Sequence, residues 1–204
     1  MTVNLESWNC ITDCGMKGTG KTNLIRNLLP NYKEVFVFDT LEEFTDYPHH
    51  VPTRDTPDEL EAIAKIIWNR WNCFLVVSEA ELFLPVNKPV PPNVFKILTR
   101  GRHRNVGMLF DTRRIADLNK TAFSLSEHVF IFRHFSPTDC RYLNQFIPKD
   151  ARELAKLEDW HYWHYTRGRV EECPPLPLIK AAIPVREKPP QKEPFEAEKL
   201  PSSE

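Results

Sequence analysis

The sequence predicts an α/β domain of three layers, with helices on both faces of a mainly parallel central sheet. Three observations lead there. Apolar runs without polar alternation recur, above all at Glu34–Asp39 and Asn72–Glu79, as expected of strands covered on both faces. Helical stretches stand between these runs, which is what parallel strand–helix–strand crossovers require. A glycine-rich loop, Gly15 to Gly20, joins the first strand to the first helix.

In order along the chain, Trp8–Cys14 reads as a strand and Asn23–Leu29 as a helix closed by the turn Pro30-Asn31. Glu34–Asp39 is a strand ending in an acid, and a polar, proline-punctuated loop carries the His49-His50 pair. Pro57 stands in the first turn of a helix whose apolar face is Leu60, Ile63, Ala64, Ile67, Trp68 and Trp71. The strand Asn72–Glu79 follows, then a loop from Glu81 through the prolines 89–92, and a short helix Asn93–Arg100. Asn105–Thr112 and His128–Arg133 are two more strands, with a short helix within Leu118–Ser126 between them. Ser136 caps a helix with Pro137 at its first position, and Lys149–Leu157 forms another. Trp160–Thr166 and Val170–Glu172, joined through Gly168, predict a β-hairpin on the edge of the domain. Its aromatic residues are expected to pack rather than to stack on bases. From Pro174 the composition changes: eight of the eighteen prolines lie in residues 174–204, an extended proline-rich arm. The division expected is a domain at 1–173, with its core at 8–147 and a helix and hairpin at 148–173, followed by the arm at 174–204.

The loop Gly15-Met16-Lys17-Gly18-Thr19-Gly20-Lys21-Thr22 fits G-x-x-x-x-G-K-[ST], a phosphate-binding loop. Glycines at 15, 18 and 20 let backbone N–H groups turn inward around phosphate oxygens. Lys21 brings a point charge to the β- and γ-phosphates, the Thr22 hydroxyl can ligate Mg²⁺, and the helix beginning near Asn23 directs its positive end there. ATP and Mg²⁺ are the cofactors expected, on residues 15–23.

A net charge of −1 neither favours nor excludes nucleic acid, because local charge decides that. No apolar run approaches the roughly 20 residues that span a bilayer, and residues 1–6 do not read as a signal peptide, so an intracellular protein is expected. Of the five cysteines only Cys10 and Cys14 are close, and reduced buried thiols are expected rather than zinc.

The apolar strand Cys73–Val77 ends in Ser78-Glu79, where Glu79 can orient and polarise a water against the γ-phosphate. Glu81 lies past the strand and is expected in solvent. Segment 96–114 carries Lys96 and the arginines 100, 102, 104, 113 and 114 against Asp111 alone. Either a DNA-facing patch or nucleotide and subunit contacts explain it.

Taken together, Ser78-Glu79-Ala80, Asp39-Thr40-Leu41-Glu42-Glu43-Phe44, Thr99–Gly107 and Asp111-Thr112-Arg113-Arg114 resemble the motifs of the FtsK/HerA-type ATPases. Within them the likeness is closest to the genome-packaging ATPases of membrane-containing icosahedral viruses, of the turreted archaeal type. It runs from about residue 8 to about residue 145. The resemblance implies an ASCE-type, RecA-like P-loop NTPase fold, a homo-oligomeric ring, a hexamer being favoured, and ATP hydrolysis coupled to moving double-stranded DNA into a capsid. It also implies an arginine finger from the neighbouring subunit, for which Arg100, Arg102, Arg104, Arg113 and Arg114 are candidates, with Arg100, Arg102 and Arg113 put first. The sequence departs from the family twice. Ser78 stands where a Walker-B aspartate is usual, and is with Thr22 the candidate metal partner. Arg113 stands where a sensor glutamine is usual, leaving Thr112 and Arg113 both candidates for sensing the γ-phosphate.

The reading is therefore a DNA-translocating, viral genome-packaging ATPase acting in the host cytoplasm or on the virion, with capsid-vertex or membrane proteins of the virion as further partners. A cellular or plasmid HerA-type translocase is the alternative, less favoured because only residues 1–7 precede the first strand. A small-molecule kinase and a nucleotide-gated structural protein are alternatives of other classes.

Overall fold

A computed structural model describes residues 5–134 and 136–179. The arm predicted at 174–204 thus lies largely outside the described residues. Eight strands form one sheet: β1 (Cys10–Cys14), β2 (Glu34–Phe38), β3 (His49–His50), β4 (Cys73–Val77), β5 (Gly107–Thr112), β6 (His128–Ile131), β7 (Tyr162–Thr166) and β8 (Arg169–Cys173). Their order is β3-β2-β4-β5-β1-β6-β7-β8. From β3 to β6 all neighbours are parallel, and β7 and β8 add antiparallel to the β6 edge. The predicted α/β architecture and the edge hairpin are both present.

Six α-helices lie among the described residues, besides three 3₁₀ helices: α1 (Lys21–Leu28), α2 (Pro57–Arg70), α3 (Ala80–Phe83), α4 (Pro92–Arg100), α5 (Lys120–Ser124) and α6 (Pro137–Leu143). The layers are unequal. One face carries Phe38, Leu75, Val77, Met108 and Phe110 under α2 to α6. The other carries Ile11, Val37, Phe74, Val76 and Leu109, and α1 is the helix that covers it, through Leu24, Ile25 and Leu28. Period-2 alternation divides each strand between the two cores. A strand fully buried on both faces therefore reads as an uninterrupted apolar run, which is how β4 stood out.

Local rules operated where the sequence placed them. Ser136 Oγ accepts from Asp139 N, with Pro137 opening α6. α4 starts under a carboxylate from another helix, Glu61, which accepts Asn93 N at 2.8 Å. Three expectations needed correction. The segment after Glu79 is not all loop: Ala80–Phe83 makes one helical turn, because Phe83 is buried edge-on against Phe38, 4.8 Å between ring centroids. His50 is in a strand, where Asp39 N donates to its carbonyl and its ring meets Glu59 at 2.8 Å. The segment after Lys149 is a 3₁₀ helix, Ala151–Lys156, whose buried residues Ala151 and Leu154 stand at i,i+3, the spacing that a three-residue turn aligns.

All five cysteines are buried free thiols. Among the described residues no helix is long and apolar enough to cross a membrane.

Packing dominates the aromatic run of the hairpin. Tyr162, Trp163 and His164 are buried, and the Lys149 ammonium lies 4.1 Å from the centroid of the Trp163 ring. Truncating the fully buried Trp163 to alanine is expected to destabilise the fold by about 3–5 kcal/mol, measured by denaturant unfolding.

Candidate functional site

Parallel strands deliver their C-terminal ends to one edge of the sheet, and there β1, β4 and β5 bring their last residues together with the glycine loop. The loop leaves β1 at Gly15, where a Cβ would stand 2.6 Å from the Phe132 Cβ, so no side chain fits. Gly20 takes φ +112 at the N-cap of α1, a conformation that glycine adopts without strain. The first N–H groups of α1 have no intrahelical acceptor and no side-chain cap, which leaves them to an anion. Met16, Lys17, Gly18 and Thr19 make the loop's outer turn, closed by Thr19 Oγ1 on the Met16 carbonyl at 2.7 Å.

Lys21 folds back along this loop. Its ammonium donates to the Gly15 carbonyl at 2.8 Å and stands 3.8 Å from Asp111, with the residue only 8% exposed. The Thr22 hydroxyl donates to Glu43 at 3.0 Å. The Asn23 side chain turns away from the loop: its amide donates to the carbonyls of Leu176 and Pro177, and its oxygen accepts Ile179 N. The first residues after the hairpin therefore lie against α1 of their own chain.

At the end of β4, Ser78 is buried and its carbonyl accepts the Thr40 hydroxyl. Glu79 next to it takes φ +49, a strained conformation for a residue with a Cβ, costing on the order of 1–2 kcal/mol. Its carboxylate is ion-paired to the Arg113 guanidinium from the end of β5. Glu81 is not in solvent as expected: its carboxylate accepts Arg113 N at 3.1 Å, and burial pushes its pKa up. Two glutamates from the turn after β4 thus hold Arg113 by guanidinium and by backbone.

Two further acids belong to this edge and were missed as site residues. Asp13 and Asp111 are register partners on β1 and β5, Asp13 two residues before Gly15, and both face α1. Asp13 is fully buried, and its carboxylate oxygens have no hydrogen-bond partner among the described residues. Burial first, then the charge of Asp111, raises Asp13 well above the usual carboxylate range, with Lys21 opposing. Burial likewise pushes Asp111 up to about 7, against the pull of Lys21. The signal was legible: an acid at an inward position of an apolar strand, just before a phosphate loop, has a counter-charge only in the loop's lysine.

The outer side of the loop faces a recess of about 190 Å³ lined by Met16, Lys17, Thr19, Arg133, Trp160 and His161. Trp160, at φ +66, is half exposed here, while Arg133 is tied to Asp159 at 2.8 Å and to the Leu157 carbonyl. A larger cavity of about 610 Å³ opens elsewhere, beside His128 at the start of β6 and Thr166 at the end of β7, and so at the opposite edge of the sheet.

The basic segment 96–114 is not one surface. β5 runs through it, six residues or roughly 20 Å long. Arg113 and Arg114 lie at its C-terminal end beside the loop, whereas Arg100, Arg102 and Arg104 lie before its N-terminal end. Arg102 stacks over Trp8, and Arg104 over Trp68 and Trp71. Arg100 and Arg102 cannot reach the glycine loop of their own chain.

No protein-family model matches the chain, and no curated protein sequence does. Among solved structures it is similar to the genome packaging NTPase B204 of Sulfolobus turreted icosahedral virus 2 in complex with ATP-gammaS. The TM-score is 0.76 at 16% identity, over 84% of this chain and 100% of that one. It is also similar to the pCW3 conjugation coupling protein TcpA with ATPgS, TM-score 0.60 at 12% identity over 83% of this chain and 60% of that one. A third likeness is to the N-terminal domain of the zonular occludens toxin of Neisseria meningitidis, TM-score 0.54 at 14% identity over 83% and 94%. At these identities the likeness shows the fold, and the fold is that of the P-loop NTPases.

Asp111 binds its proton more tightly in the folded chain than in the unfolded one. Its contribution to stability is therefore complete below its unfolded pKa of about 4 and is lost as the pH rises through about 7. Asp111→Asn carries no charge to bury. Its melting temperature relative to wild type is expected to rise by at least about 2 °C on going from pH 4 to pH 8, as followed by circular dichroism.

Proposed function

We propose that this chain is the ATP-hydrolysing subunit of a ring motor that translocates double-stranded DNA, and that its task is to package a viral genome into a preformed capsid. The observation that carries the reading is that Lys21 in the glycine loop and the strained, arginine-held Glu79 stand on the same edge of the sheet, with β5 between the loop strand and the glutamate strand. The likeness to a genome packaging NTPase over that chain's whole length supports the same conclusion.

In this reading the backbone of residues 15–20 and the N-terminus of α1 hold the β- and γ-phosphates. Lys21, drawn from its place beside Asp111 and the Gly15 carbonyl, neutralises their charge. The base lies toward the recess walled by Trp160 and His161, where an aromatic face is available to it. Thr22 is a hard oxygen donor for Mg²⁺, which when bound screens the phosphate charge and orients the γ-phosphoryl group. Glu79 orients a water in line with the γ-phosphorus and takes its proton as the new P–O bond forms and the bond to the bridging oxygen breaks, leaving ADP and phosphate.

Arg113 belongs to this step in its own subunit. Its guanidinium already holds the Glu79 carboxylate, so a γ-phosphate within its reach competes for it, which is how a sensor works. Arg100 and Arg102, at the far end of β5, are left as the finger candidates for a neighbouring subunit's site, in a ring whose assembly would then be required for turnover. The same end of the molecule, with Lys96 and Arg104, offers the charge for phosphate contacts with DNA. Host cytoplasm and virion are the places where such a motor works, with a capsid vertex as its docking partner. The likeness to a conjugation coupling protein favours a plasmid or cellular DNA translocase as the second reading.

The test is steady-state ATP hydrolysis over a range of protein concentrations, with and without double-stranded DNA. Turnover that rises more steeply than linearly with protein and increases with DNA is expected. Turnover linear in protein and indifferent to DNA would overturn the motor in favour of a small-molecule kinase. Glu79→Gln is expected to retain ATP binding, followed by equilibrium fluorescence, and to hydrolyse at least ~100-fold more slowly.

A further inference from the structure

The chain has a neutral, buried serine at the position where a Mg²⁺-ordering carboxylate is expected beside the phosphate loop, and no cluster of three or more metal-ligating His, Cys, Asp or Glu side chains exists among the described residues. Mg²⁺ does not need such a cluster. It commonly keeps several waters and is bound by one or two protein oxygens together with substrate phosphates. What the site must supply is the loop hydroxyl and one carboxylate beside it.

That carboxylate is on the page. We propose that Glu43 supplies the carboxylate that orders Mg²⁺ next to Thr22, in place of Ser78. The inference rests on the reading of residues 15–22 as a nucleotide site. Glu43 Oε2 accepts the Thr22 hydroxyl at 3.0 Å, so the two hard oxygen donors already stand together at the first turn of α1. The side chain is exposed, as suits a group that acts through metal-bound water, and it comes from the loop after β2, the strand beside the one that ends in Ser78.

The loop is built to hold Glu43 there. Fully buried Asp39, at the end of β2, accepts Glu43 N at 3.1 Å with one oxygen and Phe44 N at 2.7 Å with the other. The Glu43 carbonyl accepts the Arg26 guanidinium from α1. Arg26 is itself buried, paired to both oxygens of Asp46 at 2.8 and 3.1 Å, and stacked 5.1 Å over the ring of buried Phe44. The backbone at residue 43 is thus fixed through both its N–H and its C=O, and through the latter to the same helix that carries Thr22. Glu42 immediately before it takes φ +55, a left-handed conformation for a residue with a Cβ. Such strain persists where the surroundings over-determine the backbone, and here it turns the chain so that Glu43 faces α1. An exposed glutamate on a free loop would need none of this.

The arrangement also separates two tasks. Glu79 is ion-paired to Arg113 and Asp111 is beside Lys21, so each of those carboxylates already answers a cation of the chain. Glu43 makes its side-chain contact to a neutral hydroxyl and carries its negative charge uncompensated toward the loop.

The experiment measures the affinity of a fluorescent non-hydrolysable ATP analogue for the full chain in MgCl₂ and in EDTA, for wild type, Glu43→Gln and Ser78→Ala. Glu43→Gln leaves the backbone contacts at 43 in place, which circular dichroism checks. Wild type is expected to bind more tightly in Mg²⁺. Glu43→Gln is expected to lose about 10- to 100-fold of metal affinity, read as loss of the Mg²⁺-dependent gain with no loss of affinity in EDTA. Ser78→Ala is expected to keep the gain. Mn²⁺ titration in the presence of the analogue, followed by electron paramagnetic resonance, should show the same order. A Mg²⁺-dependent gain that survives in Glu43→Gln, or that Ser78→Ala removes, overturns the role of Glu43 while the nucleotide site stands. No binding by wild type in either buffer overturns the nucleotide site itself.

Discussion

The ammonium of Lys21 is the charge that the rest of the edge is arranged around. It is almost fully withdrawn from water, and a buried charge is tolerable only with partners. Here those partners are the carbonyls of the loop it closes and the carboxylate of Asp111, with Asp13 beneath. Burial raises the proton affinity of both acids, the charge of Asp111 adds to it at Asp13 and those of Glu81, Glu43 and Glu79 add to it at Asp111, while the lysine opposes both shifts. A polyphosphate is a better partner for Lys21 than a carbonyl, and its arrival would leave the acids with less compensation. The phosphate loop and the two strands that flank its base are in this sense one electrostatic unit.

Left-handed backbone also occurs on the same edge. Gly18, Gly20, Glu42, Glu79 and Trp160 all take positive φ, and all border the loop or supply a residue to it. The two glycines meet this geometry freely. The three larger residues do so at an energetic cost of about 1–3 kcal/mol each, which the rigid sheet beneath them sustains. Positioning by strain is useful where a carboxylate must meet a phosphate or its metal within a few tenths of an ångström.

The two layers of helices serve different ends. α2 to α6 make a broad hydrophobic cover over one face. α1 stands on the other with the loop after β2, tied to it through Arg26, and with the residues that follow β8, tied to it through Asn23 and Asn27. A displacement of α1 on phosphate binding would therefore be felt directly by two segments that lie outside the central sheet. The hairpin extends the sheet past β6 and brings Trp160 back to the loop, so an element with no part in the phosphate motif still contributes a wall to the site.

By itself the sequence determined the parallel sheet, the glycine-rich loop between β1 and α1, the capped start of α6, the hairpin and the place of Glu79 just past a strand end. These are written in local terms: uninterrupted apolar runs, glycine spacing, a serine followed by proline. What it could not determine was which distant residues share a place. The segment 96–114 looks like one basic patch, but six residues of β5 separate Arg100 and Arg102 from Arg113, because a strand extends the chain by some 3.3 Å per residue. Asp13 and Asp111 lie almost a hundred positions apart and meet only because β5 inserts next to β1 in parallel register. Glu43 reaches Thr22 through Asp39 and Arg26, whose buried contacts no spacing rule encodes. Local geometry is a property of neighbours in sequence, whereas charge and coordination act across space, and only the folded sheet decides which side chains are close enough to matter.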